Sequence, residues 1–80
     1  MTLEQLRILA VFRDAGTKTG EGINWWEFGD AIIWDSGAIR DESVRNAITS
    51  LIDDGYVVEA LASLMLTDAG YARIQEGLDI

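Results

Sequence analysis

Apolar positions recur along this chain at two periods, and the changes between them mark out its elements. After Thr2 the pattern is helical, with Leu3, Leu6, Leu9, Ala10 and Phe12 supplying an apolar face. Thr2 and Gln5, three residues apart, form a capping box, which satisfies two N–H groups that a helix start leaves without partners. Gly16 is placed to stop this helix, and T-K-T-G-E-G (17–22) reads as a loop whose glycines accept positive φ. A second helix is predicted to open at Asn24 as N-cap, with Glu27 at the box position and Ile23 and Phe28 as a hydrophobic staple. It runs to about Trp34 and breaks at D-S-G (35–37).

The third helix has the clearest pattern. Val44, Ala47, Ile48, Leu51 and Ile52 fall at helical spacing on one stripe, and Gly55 follows as its C-terminal cap. With that stripe inward, Glu42, Asn46, Thr49, Ser50 and Asp53 face outward and Arg45 lies at the flank. Asp53 and Asp54 sit in the last turn, where the helix dipole disfavours negative charge by about a few tenths of a kcal/mol each. The period then shortens. Tyr56, Val57 and Val58 are strand formers, Leu64, Met65 and Leu66 return as their partner, and Glu59 to Ser63 form the tip between them. Thr67 caps a final short helix in which Tyr71, Ile74 and Leu78 share a face.

One domain over residues 1–80 follows: mainly α with a small β-hairpin, three helices, a two-stranded wing and a short C-terminal helix. This order, with G-Y-V before the hairpin and L-T-D-A-G after it, resembles the winged helix-turn-helix domain of small bacterial, archaeal and phage regulators. The likeness runs over nearly the whole chain and is strongest from Trp25 to Tyr71. It rests on Ile48, Leu51, Gly55, Tyr56 and Val57, then on Leu66, Thr67 and Gly70. It implies that the second helix positions and the third recognises. Asn46 and Thr49 would then read base edges while Arg40 and Arg45 hold phosphates. Winged helices also serve as protein-interaction modules, so the fold leaves the ligand open.

Charge changes that picture. Fourteen acidic against six basic residues give a net charge of −8, and no Lys, Arg or His lies between Arg45 and Arg73. Phosphate neutralisation by cations supplies most non-specific affinity for DNA, and the expected recognition helix and wing lack it. DNA is therefore not the expected direct ligand. The expected partner is a basic protein or nucleoprotein complex; the alternative is a transcription regulator that binds DNA as a homodimer, pairing concentrating its few arginines. Glu42, Asp53, Asp54 and Glu59 are the carboxylates expected to meet that partner. A plain solvated face is the bland reading of the same residues.

Three tryptophans fall between positions 25 and 34. Helical spacing sends Trp25, Phe28 and Ile32 to the core and turns Trp34 opposite Trp25. Trp34 is thus a candidate interface anchor, of the residue type enriched at interface centres. Leu61 on the wing, with Met65 beside it, is a second. The chain has no Cys and no His, so it lacks thiolate metal sites and the commonest general base. No nucleophile has a recognisable base, G-T-K-T-G-E-G lacks the phosphate-loop spacing, and the paired acids lack the calcium-loop pattern. No enzyme, cofactor or metal site is expected. No run reaches the roughly 18 apolar residues of a membrane span, the opening T-L-E-Q is unlike a signal peptide, and the cytoplasm is the expected compartment. Small acidic proteins of this style are similar to phage-encoded inhibitors of host defence such as anti-CRISPR proteins, which would act in the host cytoplasm.

Overall fold

Two capping devices fix the first helix. In the computed structural model, α1 spans Leu3–Ala15. The Gln5 N–H donates to Thr2 Oγ1 (3.2 Å) and the Thr2 N–H to Gln5 Oε1 (2.6 Å), the capping box expected from the sequence. At the other end Gly16 adopts φ 69°, with its N–H on the Arg13 carbonyl and the Thr17 N–H on the Phe12 carbonyl. That paired closure requires a left-handed residue, hence glycine. The buried stripe is Gln5, Ile8, Leu9 and Phe12, with Ala10 beside them. This corrects the predicted face. Leu3 is 49% exposed, and Ile8, passed over in the apolar count, is in the core.

The structure describes residues 1–24, 34–35, 38–39 and 42–78, with 34–35 and 38–39 described by main chain alone. After α1 come β1 (Gly22–Asn24), β2 (Trp34–Asp35), β3 (Ala38–Ile39), α2 (Glu42–Asp53), β4 (Val57–Ala60), β5 (Ser63–Leu66) and α3 (Asp68–Glu76). The fold is a small α+β arrangement with three helices and a three-stranded antiparallel sheet among the described residues, in the order β1-β5-β4. The hairpin expected as a two-stranded wing is thus extended by a third strand. Ile23 pairs opposite Leu64 and is buried, so it serves the sheet core rather than a helix staple. Asn24 ends β1 instead of standing alone as a cap. The predicted second helix falls at 25–33, outside the described residues, and so do Trp25, Phe28 and Ile32. Its predicted last residue, Trp34, belongs to a strand, paired with Ile39 in a separate two-stranded sheet.

The predicted third helix is α2, and its stripe is as expected. Val44, Ala47, Ile48 and Leu51 are buried, and Ile52 packs partly against them. The helix closes on Gly55 (φ 81°), whose N–H reaches the Ile52 carbonyl while the Tyr56 N–H reaches that of Leu51. Leu51 joins Ile8, Leu9, Phe12, Ile23, Val57, Leu64 and Leu66 in one core between the helices and the sheet.

The motif G-Y-V…L-T-D-A-G has a physical explanation here. Thr67 caps α3 by accepting the Gly70 N–H on its hydroxyl oxygen (3.1 Å). The same hydroxyl donates to the adjoining carbonyls of Gly55 and Tyr56, 2.9 Å from the latter, and the Thr67 N–H also reaches the Tyr56 carbonyl (3.2 Å). Gly70 lies hard against that carbonyl. A Cβ at position 70 would overlap the Tyr56 oxygen and sit 2.7 Å from Leu66 Cδ1. The α2 exit and the α3 entry are therefore clamped together, with Val57 and Leu66 buried immediately after and before the clamp.

Candidate protein-docking surface

Because α2 turns its apolar stripe inward, its other faces carry the exposed side chains Glu42, Arg45, Asn46, Thr49, Ser50 and Asp53, as the spacing predicted, and Ser43 besides. Asp54, in the turn that follows, is exposed as well. The helix has an acid in its first turn and no base in its last. Glu42, Asp53 and Asp54 thus stand against a single base, Arg45, over this helix and the turn after it. Thr49 Oγ1 donates back to the Arg45 carbonyl (3.0 Å), so its hydroxyl proton is already used within the helix. Arg40 lies outside the described residues. Trp34 is placed only as a strand residue, which removes the helical argument for pointing it away from the core.

The hairpin carries the other predicted residues. Its loop is tighter than expected. Glu59 and Ala60 belong to β4 and Ser63 to β5, and Ala60 pairs with Ser63, leaving Leu61 and Ala62 as the tip. Leu61 is 99% exposed, by far the most open large apolar side chain among the described residues. Ala62 has φ 60°, the only positive φ at a non-glycine described residue. Two-residue hairpin loops favour Asn-Gly or Gly-containing turns because those residues tolerate such angles. A left-handed alanine costs about 1–2 kcal/mol.

Strand alternation separates two faces of the sheet. Val57, Leu64, Leu66 and Ile23 face the core and are buried. Glu59 shares their face of β4 but lies nearer the tip, where it is exposed. On the outer face Val58 pairs with Met65, which in turn pairs with Gly22. A Cβ at Gly22 would come within 3.0 Å of Met65 Cγ, so the methionine lies across the glycine and is half-buried by it. Val58 is 45% exposed. Sequence reasoning took Tyr56, Val57 and Val58 only as strand formers and did not single out Val58 as a surface residue; period-2 alternation with Val57 inward would have found it.

The structure thus brings Glu42, Arg45, Asn46, Thr49 and Asp53 onto one helix, and Glu59 and Leu61 onto the hairpin that follows. Among the described residues no three acidic side chains converge as a cation site would require, and no helix is long and apolar enough to cross a membrane. Comparison of the chain with protein families, with curated proteins and with solved structures finds no match.

Proposed function

We propose that this chain is a small winged-helix-like protein that acts by binding another protein. Its acidic α2 face and apolar hairpin tip would dock on a basic, nucleic-acid-binding partner, in the style of phage-encoded inhibitors such as anti-CRISPR proteins. The observation that carries this reading is the surface of residues 42–61. It exposes Glu42, Asp53, Asp54 and Glu59 with Arg45 as its single cation, and ends in the fully open Leu61. Such an array attracts basic surfaces and repels phosphates, while an exposed aliphatic side chain supplies short-range packing once the partner has arrived. The order of α2, hairpin and α3, clamped through Thr67 and Gly70, supports the winged-helix part of the reading.

A DNA-binding regulator is the second reading, favoured by the exposure of Arg45, Asn46 and Thr49 along one helix. Neutralising phosphates through Arg45 with Glu42 and Asp53 on the same helix would take up the helix's only cation, so this reading needs a dimer to gather charge. The test is affinity capture from the native host with the wild-type chain and with the double variant Asp53→Lys, Asp54→Lys. A basic nucleic-acid-binding protein should be recovered, and the variant should associate with it several-fold more slowly, most visibly at low salt. Recovery of a DNA fragment in place of a protein would reverse the order of the two readings.

A further inference from the structure

Two cross-strand rows make up the face of the three-stranded sheet that turns away from the core. Gly22, Met65 and Val58 form one, and Asn24, Ser63 and Ala60 the other. Gly22 and Val58 are exposed, and the other four are half-buried. A sheet face left to water ordinarily alternates to polar side chains outward. This one carries no charge in either row and centres on Val58 and Met65. In all three strands of the sheet Glu59 is the only charged residue.

The dimensions of this face are those of a short helix. Neighbouring strands about 4.8 Å apart set β1 and β4 about 10 Å from each other, the width of an α-helix, and strands of about 13 Å match two to three helical turns. Its floor is low. A Cβ at Gly22 would lie 3.0 Å from Met65 Cγ and 3.5 Å from Ser63 Oγ, so glycine leaves that ground to its neighbours, and Ala60 and Ser63 add little height. Met65 is the adaptable element, since an unbranched thioether reshapes itself to what it meets. Acids stand at both sides: Glu59 in β4 and Glu21 immediately before β1, both exposed. The nearest base in sequence, Lys18, lies in the loop before β1, and between residues 46 and 72 every charged side chain is a carboxylate.

We propose that this outer sheet face seats a basic amphipathic helix of the partner protein. The apolar stripe of that helix would lie on Val58 and Met65, with Lys or Arg side chains reaching Glu59 on one flank and Glu21 on the other. Recognition of this kind reads apolar anchors at i, i+3, i+4 and i+7. Long basic side chains suit the flanks because their stems cover apolar surface while their charges stay in water. The flanking acids select the occupant, attracting a basic helix and repelling an acidic one. A second copy of the chain fits less well, because it would bring another −8 charge to the same face. This inference rests on the protein-binding reading and gives it a class of ligand and a place to bind.

The probe is a capped Leu-Lys-Lys-Leu-Leu-Lys-Lys-Leu-Leu-Lys-Lys-Leu peptide titrated into the full chain and followed by methyl and amide NMR. Its control has the same composition in strict Leu-Lys alternation, which keeps the charge and removes the helical stripe. The Val58 and Met65 methyl signals should shift, and the helical peptide should bind about tenfold more tightly than the alternating one, since only it buries an apolar stripe. Val58→Lys should weaken the helical peptide about tenfold or more by setting a like charge under it. Val58 is already exposed, so that variant should keep the wild-type Tm, which separates lost binding from lost folding. Glu59→Gln should weaken binding about threefold, in the range of an exposed ion pair. Shifts confined to the outer face of α2, with both peptides binding equally, would overturn the helix site while leaving docking by charge in place. Tighter binding of the alternating peptide would also overturn it. No binding of either peptide at millimolar concentration would count against both readings. A concentration-dependent dimer of the chain alone that Val58→Lys dissolves would give the face to a second copy and overturn the proposal.

Discussion

Replacing Gly70 by alanine sets two physical effects against each other with opposite signs. Gly70 lies in the first turn of α3, and helix propensity alone predicts that Gly→Ala stabilises by about 1 kcal/mol. The packing predicts the reverse. The new methyl would overlap the Tyr56 carbonyl oxygen, lie 3.0 Å from the Tyr56 carbonyl carbon and 2.7 Å from Leu66 Cδ1. Restoring ordinary carbon contacts of about 3.5–4.0 Å requires roughly an ångström of displacement. The carbonyl has no rotamer with which to yield. Leu66 is fully buried, so its side chain has little room either.

The helix start must therefore move, and the clamp moves with it. The bonds at risk are those from the Thr67 N–H and hydroxyl to the Tyr56 carbonyl and the Gly70–Thr67 cap. Each is worth about 1 kcal/mol, and overpacking a core site adds about 1–3 kcal/mol. After the propensity gain is offset, a net loss of about 2–4 kcal/mol remains. For a domain of this size that is about 8–32 °C in Tm at 4–8 °C per kcal/mol. Thermal unfolding followed by far-UV circular dichroism measures it. Thr67→Val, which keeps the shape and removes the hydroxyl, should lose about 1–2 kcal/mol. A Gly70→Ala protein with a Tm equal to or above the wild type would refute the close approach of α3 to Tyr56, and with it the packing explanation of the motif.

Ile48→Asp should unfold the domain or nearly so, since it places an unpaired charge within the buried stripe of α2 at a cost of several kcal/mol, about 4 or more; Thr49→Asp, one residue on and exposed, should keep the wild-type Tm, and equal stabilities would disprove the helix orientation. Ala62→Gly should raise Tm by roughly 3–6 °C, the relief of a left-handed alanine being only partly cancelled by the greater freedom of glycine in the unfolded chain; a lower Tm would mean that the tip does not hold φ 60°. At physiological salt, micromolar protein should not retard random-sequence duplex DNA, because one exposed arginine on α2 cannot neutralise enough phosphates against the −8 field. A retarded band that vanishes as salt rises would instead promote Arg45, Asn46 and Thr49 to a recognition set.

What the sequence disclosed about the fold divides along the range of the interactions. Features set within one helical turn were legible: the Thr2–Gln5 box, the glycine stops at 16 and 55, the Thr67 cap and the α2 stripe all match the structure. The α1 face was rotated because a count of apolar residues ignores Gln5. That side chain is buried at the head of the stripe while its oxygen serves the cap. β1 was read as loop and cap because three residues are too few to show a period of two. What makes it a strand is pairing with β5, some forty residues later. The same distant partner holds the Gly20–Glu21 stretch through Leu66, and nothing local in T-K-T-G-E-G announces that.

The candidate surface was legible where it follows from a helix and blurred where it follows from a sheet. The outward residues of α2 came directly from its period, whereas the tip was drawn too wide and Val58 was overlooked, because strand edges depend on a register that a single chain segment does not carry. The residues with the strongest claim to function are those that break local preferences without a structural return. Asp53 and Asp54 stand at the helix end that disfavours anions, Leu61 is wholly in solvent, and Ala62 holds an angle better suited to glycine. All four lie between residues 53 and 62, and β4 lies within the same ten residues. Departures of this kind concentrate where a sequence serves something other than its own stability. One such residue is unremarkable in a small domain. Four on one unbroken segment are what supports our proposal that this segment meets a partner, since their own contribution to folding does not account for them.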